Sequence, residues 1–465
     1  MSSLRRRRSV AFPALPGAPA AEHRWLAWHP HRRLLAVAST STVAFYDAQH
    51  QTWLPLRLSN DLMQGITGVS WNPYAEMVAV ACSRGVCLWR LMGGLEVPGE
   101  NGVLDSRYGA PSAWMSFLQQ PARAPTVGLA WSRHGRLLAT AAEGDPRVLV
   151  WDVALRTFTP LHTGPLGAPL ALAWSPDGRF LWASFADGGF GIWEAQRWTF
   201  VSWEFPGQCR VVSWSPDSQR IALVMNNVGT EDLVWFRPDG GAQSRWVRGR
   251  IVELQATGRC VVELDEPGEA RNGQVGDAGD VGQHLCQLED LIVDKPVFVG
   301  SVQDRDDALG DFNVEFDCAY LPPPVLDGTA APPLCGGLAR GLEWAPDGGS
   351  VVVTFEHVEL GAARLDHEAS CGTVAAVCTY SVTGRRDTLN FALTQVLDLR
   401  RVAGTAPSPE VKCWPRLQKK EVLAAAVWNK CEDIAAGDRE EAPHLALYCL
   451  PACSTSNTGL GGDLD

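Results

Sequence analysis

The feature that most constrains this chain is a fourteen-residue segment that recurs along it. Each copy has two short apolar runs joined by a polar turn, with a tryptophan directly before the turn. The clearest copy is LAWSPDGRFLWASF at residues 172–185. Similar segments begin at residues 26, 69, 129, 212 and 342, and a weaker seventh copy occupies 411–427. Because two apolar runs around a turn predict a β-hairpin, the chain contains repeated hairpins.

A further strand pattern follows each hairpin. These runs alternate apolar and polar residues and end near an aromatic residue: Tyr46, Trp89, Trp151, Trp193, Trp235, Tyr380 and Tyr448. One more short apolar run follows several of them. Trp28 and Trp71 are 43 residues apart, as are Trp131 and Trp174. Four strands repeated with a period near 40–45 residues are typical of the blades of a WD-type propeller.

We therefore predict an all-β fold, a seven-bladed WD-type β-propeller with degenerate repeats and long inter-blade insertions. The propeller is expected to span residues 24–453, with insertions at about 92–124 and 240–335. Residues 1–23 are expected to be a flexible basic tail, and residues 454–465 a disordered tail. The predicted structural blade anchors are tryptophans that fill space between neighbouring blades: Trp28, Trp71, Trp131, Trp174, Trp214, Trp344 and Trp414.

The Gly-His dipeptide of strong WD repeats is missing from every copy. Without that histidine, the buried Asp–His–Ser/Thr–Trp hydrogen-bond network of such blades cannot form in its usual way. We therefore expect the stability of the fold to rest mainly on apolar and aromatic burial.

The negative charge of the chain is concentrated in the second insertion. From Glu263 to Asp317 there are 15 acidic and 3 basic residues, which equals the net charge of −12 of the whole chain. The near-neutral remainder argues against direct nucleic-acid binding. Arg5–Arg8 fit either a solvated tail or a nuclear-localisation or polyanion-binding patch. No apolar run is long enough to span a membrane, and scattered cysteines without metal spacing fit a reducing compartment.

No catalytic constellation is visible in the sequence. The Ser-Pro-Asp-Gly segments offer a serine, but the same residues are favoured in β-turns and recur at equivalent places. His29 and His31 lie in the same turn of the first copy and lack further ligands at metal spacing. Residues 304–315 match an EF-hand loop at positions 1, 3 and 12 but not at positions 5 and 6. We expect no enzymatic activity, no metal and no cofactor.

Several stretches resemble the aladin family, which are WD-repeat nucleoporins of the nuclear pore complex. These are AWHPHRRLLAVA (27–38), VAVACSRGVCLWRL (78–91), GIWEAQRWTFVSW (191–203) and CRVVSWSPDSQRIAL (209–223). The run WEAQRWT from Trp193 to Thr199 is the most specific, because blade geometry does not require it. The family has a longer segment before the first blade and a shorter connection where residues 240–335 lie.

The resemblance implies a non-enzymatic scaffold or adaptor subunit of the nuclear pore complex at the nuclear envelope. It also implies partners among other nucleoporins, including a transmembrane nucleoporin, and a role in nucleocytoplasmic transport. Two alternatives remain open at this stage. One is a generic WD-repeat adaptor of another complex, for example a ubiquitin ligase. The other is a propeller enzyme that uses a metal or carboxylates in its central channel.

Overall fold

The structure of the chain is a computed structural model. It describes residues 5–11, 25–92, 112–163, 166–204, 208–225, 231–236, 247–255, 259–264, 283–287, 291–294, 297–304, 312–321, 339–357, 373–383, 389–398, 405–413, 421–430 and 444–451. Within these ranges the regular elements are β-strands and there is no α-helix. The prediction of an all-β chain is confirmed.

The first half of the chain forms consecutive four-stranded antiparallel sheets. After β1 (Arg5–Ala11), which joins the last sheet, the strands run in chain order within each sheet. Sheet 1 contains β2 (Trp25–Trp28), β3 (Leu34–Ala38), β4 (Thr42–Asp47) and β5 (Thr52–Ser59). Sheet 2 contains β6 (Gly68–Trp71), β7 (Met77–Cys82), β8 (Gly85–Met92) and β9 (Ser112–Gln119). Sheet 3 contains β10 (Thr126–Trp131), β11 (Leu137–Ala142), β12 (Arg147–Asp152) and β13 (Thr157–His162). Sheet 4 contains β14 (Pro169–Trp174), β15 (Phe180–Phe185), β16 (Phe190–Glu194) and β17 (Thr199–Trp203).

The fifth sheet is interrupted by a separate sheet. Sheet 5 begins with β18 (Cys209–Trp214) and β19 (Arg220–Met225). A five-stranded insert sheet follows, made of β20 (Leu233–Phe236), β21 (Val247–Leu254), β22 (Arg259–Leu264), β23 (Gln283–Gln287) and β24 (Ile292–Asp294). The chain then returns to complete sheet 5 with β25 (Val297–Asp304) and β26 (Phe312–Ala319). In the chain, the insert sheet therefore lies between the second and third strands of sheet 5.

Two further four-stranded sheets follow. Sheet 6 contains β27 (Ala339–Trp344), β28 (Ser350–His357), β29 (Thr373–Thr383) and β30 (Asn390–Asp398). Sheet 7 contains β31 (Thr405–Cys413), β32 (Glu421–Lys430) and β33 (His444–Pro451), and β1 is its fourth strand. Both ends of the chain therefore contribute to sheet 7.

The position of the insertion differs from the prediction. The sequence placed Trp235 in the third strand of the fifth repeat, with residues 240–335 as a connection to the sixth. In the structure Trp235 lies in β20 of the insert sheet, and β25 pairs with β19 instead, with Leu223 opposite Phe298. Both runs have the alternation of a strand, so local pattern cannot tell which of them pairs with β19.

Two other boundaries also change. Arg5–Ala11, predicted as part of a flexible tail, form β1 and pair antiparallel with β33. Ser112–Gln119, predicted as part of an insertion, form β9 and pair with β8. The remainder of the predicted tails and of the 92–124 insertion lies largely outside the described residues.

The core lies between consecutive sheets rather than within one of them. One cluster packs Phe45 of sheet 1 against Trp71 and Val80 of sheet 2, and another packs Trp182 of sheet 4 against Trp214 of sheet 5. The first strands of neighbouring sheets contact one another in order: β2 with β6, β6 with β10, β10 with β14, β14 with β18, β18 with β27, β27 with β31, and β31 with β2. Sheets 1 to 6 thus bury apolar faces against the sheets beside them.

Candidate interaction surface

The predicted anchor tryptophans lie at the ends of the first strands. Those that the structure describes are all less than one tenth exposed: Trp28, Trp71, Trp131, Trp174, Trp214 and Trp344. Trp414 lies outside the described residues. Because each first strand borders the neighbouring first strand, these indoles stand at the boundaries between sheets.

Three of the indoles donate a hydrogen bond to the sheet that precedes their own. Trp71 Nε1 donates to the Ala27 carbonyl at 3.0 Å, and Trp131 Nε1 donates to the Ser70 carbonyl at 3.4 Å. Trp214 Nε1 donates in the same way to the Ala173 carbonyl at 3.2 Å. These bonds satisfy a polar group that would otherwise be buried alone, and they join one sheet to the next.

The Ser-Pro-Asp-Gly segment is engaged in its own turn. Ser175 Oγ donates to Asp177 Oδ1 and accepts a hydrogen bond from the Phe180 amide at 3.0 Å. Gly178 has a φ of +76°, the left-handed conformation that glycine adopts without strain. The serine hydroxyl therefore closes a turn, and nothing in this geometry activates it as a nucleophile.

His29 plays the corresponding part in the first turn. Its Nδ1 accepts hydrogen bonds from the backbone amides of His31 and Arg32, both at 3.0 Å. Since Nδ1 is an acceptor, Nε2 carries the proton and donates to Glu76 Oε2 at 3.3 Å. This hydrogen bond is the main reason that the pKa of the Glu76 carboxyl lies below its usual value. Both ring nitrogens of His29 are thus occupied by protein groups.

Sheet 3 contains a buried polar network that the sequence analysis missed. Trp151 Nε1 donates to Thr140 Oγ1 at 2.9 Å, and Gln120 Nε2 donates to the same oxygen at 2.8 Å. Gln120 directly follows β9 and precedes β10, the first strand of sheet 3. The side chain of Asp145 accepts hydrogen bonds from the Arg147 guanidinium rather than from this network. These bonds lower the pKa of the Asp145 carboxyl. A glutamine therefore supplies the donor that we expected to be missing.

The network predicts that removal of the Thr140 hydroxyl lowers the stability of the fold. Thr140→Val should destabilise the folded chain by about 1–3 kcal/mol, because the buried Trp151 and Gln120 donors both lose their acceptor. The measurement is urea unfolding followed by far-UV circular dichroism. Thr159→Val is the matched control, since Thr159 is exposed in the outer strand of the same sheet. Equal unfolding curves for both variants would contradict a structural role for the network.

Buried cysteines behave as small apolar residues. Cys82 and Cys87 lie in the cluster between sheets 1 and 2, with their Sγ atoms 4.0 Å apart. Burial raises the pKa of the Cys209 thiol to about 12, so this group is protonated at neutral pH. None of these three buried thiols has the exposure of a nucleophile that is ready to react.

A cavity of about 570 Å³ runs along the first strands of sheets 1 to 4. It extends from Trp25 and Thr67 to the turn prolines Pro30 and Pro73. None of the residues that line it has an ionisable side chain. The lining therefore provides no general acid, general base or metal ligand.

We call one end of the sheets the turn face. At this end the first strand of each sheet turns into the second, and the third turns into the fourth. Acidic side chains of the turn face accept hydrogen bonds from backbone amides of the turns. Asp152 Oδ1 accepts hydrogen bonds from the Ala154 and Leu155 amides, both at 3.1 Å, and Glu194 Oε2 accepts one from the Arg197 amide at 2.8 Å. These bonds direct the carboxylates inward, towards the protein backbone.

Within the described ranges, no group of three or more histidine, cysteine, aspartate or glutamate side chains could hold a metal ion. Residues 305–311 of the EF-hand-like segment lie outside those ranges, and Glu315 accepts a hydrogen bond from Gln303 Nε2 at 2.9 Å. The described residues also contain no helical segment with the length and hydropathy needed to cross a bilayer.

No protein-family model matches the chain. Among curated proteins, the chain is 26% identical to Aladin of Arabidopsis thaliana over 229 residues. Over that region the chain is aladin-like. The match includes 45% of this chain and 50% of the relative, so it spans about half the length of the protein it matches. The resemblance predicted from WEAQRWT and its neighbouring stretches is confirmed at this level.

Proposed function

We propose that the seven four-stranded sheets are the blades of one closed seven-bladed propeller. The proposal is supported by the series of contacts between first strands, which runs from β2 through β27 to β31 and back to β2. It is also supported by five core clusters that join consecutive sheets from sheet 1 to sheet 6. A ring of this kind covers the faces of every blade and leaves only short outer edges.

We further propose that the chain is a non-enzymatic scaffold or adaptor subunit of the nuclear pore complex. The observation that carries the proposal is the similarity to Aladin over 229 residues. The cavity is lined by uncharged residues, and Ser175 and His29 are hydrogen-bonded to protein groups in their turns. Both observations agree with a protein that binds partners rather than transforms a substrate. The proposed partners are other nucleoporins, including a transmembrane nucleoporin, and the proposed role is support of nucleocytoplasmic transport. Direct nucleic-acid binding is not part of this proposal.

Localisation tests this function most directly. The full chain with a fluorescent tag should concentrate at the nuclear rim, and its purification from nuclear envelopes should recover nucleoporins. The tag alone is the control for both measurements. A diffuse cytosolic signal without rim enrichment would refute the assignment.

The alternative is a generic WD-repeat adaptor of another complex. Recovery of ubiquitin-ligase subunits in place of nucleoporins would support this alternative. The same purification therefore decides between the two functions, because each predicts a different set of proteins.

A further inference from the structure

Exposed charges differ between the two ends of the sheets. The exposed basic residues of the turn face in sheets 1, 3 and 4 are Arg32, Arg133, Arg136, Arg156, Arg179 and Arg197. Among the described turns at this end of sheets 1 to 5, the exposed acidic residue is Asp217. Among the described residues at the opposite end of sheets 1 to 4, the exposed acidic residues are Asp61, Glu143, Asp187 and Glu204, against Arg84 and Arg123. In the part of sheets 1 to 4 that the structure describes, the turn face is therefore basic and the opposite end is acidic.

The hydrogen bonds of the turns explain this polarity. The side chain of Arg136 is 71% exposed, whereas the side chain of Asp152, its ion-pair partner at 2.8 Å, is 14% exposed. Asp152 is held inward because its carboxylate caps a turn. The Asp152 carboxylate thus serves the fold, while the Arg136 guanidinium extends to solvent, where it adds to the positive potential of this face.

The uncharged cavity reaches the same face. Pro30 and Pro73, which line its end, belong to the turns of sheets 1 and 2, and Trp131 and Trp174 line it directly before the turns of sheets 3 and 4. Arg133 and Arg179 lie two and five residues after these tryptophans. An uncharged opening that presents proline and tryptophan side chains is therefore bordered by basic turns.

We propose that the turn face of sheets 1 to 4 binds an acidic protein segment. The segment places a large apolar side chain in the end of the cavity between Pro30 and Pro73, and its carboxylates contact Arg32, Arg133 and Arg179. The cavity contributes apolar burial and the arginines contribute charge-assisted hydrogen bonds. This inference goes beyond the scaffold role and does not depend on where in the cell the chain resides.

The arrangement fits a protein segment better than a nucleic acid. Glu76 Oε1 lies 3.1 Å from Arg32 Nη2, and Asp152 Oδ2 lies 2.8 Å from Arg136 Nη2. Carboxylates therefore interrupt the positive surface. A nucleic-acid backbone has a phosphate at every nucleotide and would bring some of them against these carboxylates. A peptide can place uncharged residues there and acidic residues at the arginines.

Fluorescence anisotropy with a defined probe tests the proposal. The probe is a fluorescein-labelled fourteen-residue peptide of aspartate and glutamate with a central leucine–phenylalanine pair, titrated with the full chain at low ionic strength. We expect saturable binding that weakens as salt is added. The variant Arg133→Glu/Arg179→Glu should weaken binding about tenfold or more, because two contacts become repulsive. A peptide with glycine–serine in place of leucine–phenylalanine should also bind about tenfold more weakly.

The matched control is Arg84→Glu/Arg123→Glu, which makes the same charge change among exposed residues of the opposite end. It should change the affinity less than about twofold, since it lies away from the turn face. Unchanged circular dichroism of both variants shows that each is folded. Equal weakening by both variants, no saturable binding of the probe, or tighter binding of a fourteen-nucleotide single-stranded RNA would overturn the proposal. None of these results bears on localisation at the nuclear rim, so the two proposals fail independently.

Discussion

Trp71→Ala is expected to lower the free energy of unfolding by about 3–5 kcal/mol. Trp71 is 5% exposed and packs against Phe45 of the neighbouring sheet, with ring centroids 5.6 Å apart. Its indole also contacts His29 edge-on at 4.7 Å and donates a hydrogen bond to the Ala27 carbonyl. Alanine leaves a cavity at the boundary between two sheets and removes the bond that joins them.

The control for this prediction is a tryptophan in the same sheet. Trp114 lies in the outer strand β9 and is 72% exposed. Trp114→Ala makes the same chemical change but should alter the stability by less than about 0.5 kcal/mol. Urea unfolding followed by far-UV circular dichroism compares the two variants. If they unfold at the same urea concentration, Trp71 does not stabilise the contact between sheets 1 and 2.

Deletion of residues 1–11 is the second change with a large expected effect. It removes β1, which pairs with β33 from Arg5 opposite Cys449 to Ala11 opposite His444. Loss of this ladder should destabilise the chain by about 3–5 kcal/mol, on the order of 1 kcal/mol for each lost backbone hydrogen bond. It also leaves β33 as an unpaired edge, so we expect more aggregation during unfolding.

Deletion of residues 454–465 is the control, because they follow the end of β33 at Pro451. This variant should unfold like the intact chain. A synthetic peptide of residues 1–14 added to the N-terminal deletion should raise its unfolding midpoint, since binding to the folded state is stabilising. If the N-terminal deletion leaves the unfolding curve unchanged, β1 does not contribute to sheet 7.

The turn chemistry of the candidate surface could be read from the sequence, but its charge polarity could not. Ser-Pro-Asp-Gly predicts a turn because each residue has a conformational or hydrogen-bonding reason to be there. The sequence does not tell which carboxylates point inward to cap turns, as Asp152 and Glu194 do. It also does not show that arginines far apart in the chain share one face with an uncharged cavity. Both properties require the sheets to be placed side by side.

The network of Gln120, Thr140 and Trp151 illustrates the same limit. The missing Gly-His dipeptide indicated that a hydrogen-bond network was lost, because the expected residue type was absent. In the structure Gln120, which precedes the first strand of sheet 3, donates a hydrogen bond to Thr140 Oγ1. A search for any side-chain donor at that position would have found it.

The sequence by itself determined the all-β class, the hairpins, the third strands that contain Tyr46, Trp89, Trp151 and Trp193, and the resemblance to the aladin family. The strands and hairpins follow from side-chain alternation and turn residues, which act over a few positions of the chain. The resemblance rests instead on particular stretches such as WEAQRWT. Only the tertiary structure decided which strands pair. β19 pairs with β25, which begins 72 residues after β19 ends, and β1 pairs with β33 from the other end of the chain. Pairing between distant strands depends on how whole sheets pack, and no local pattern encodes that packing.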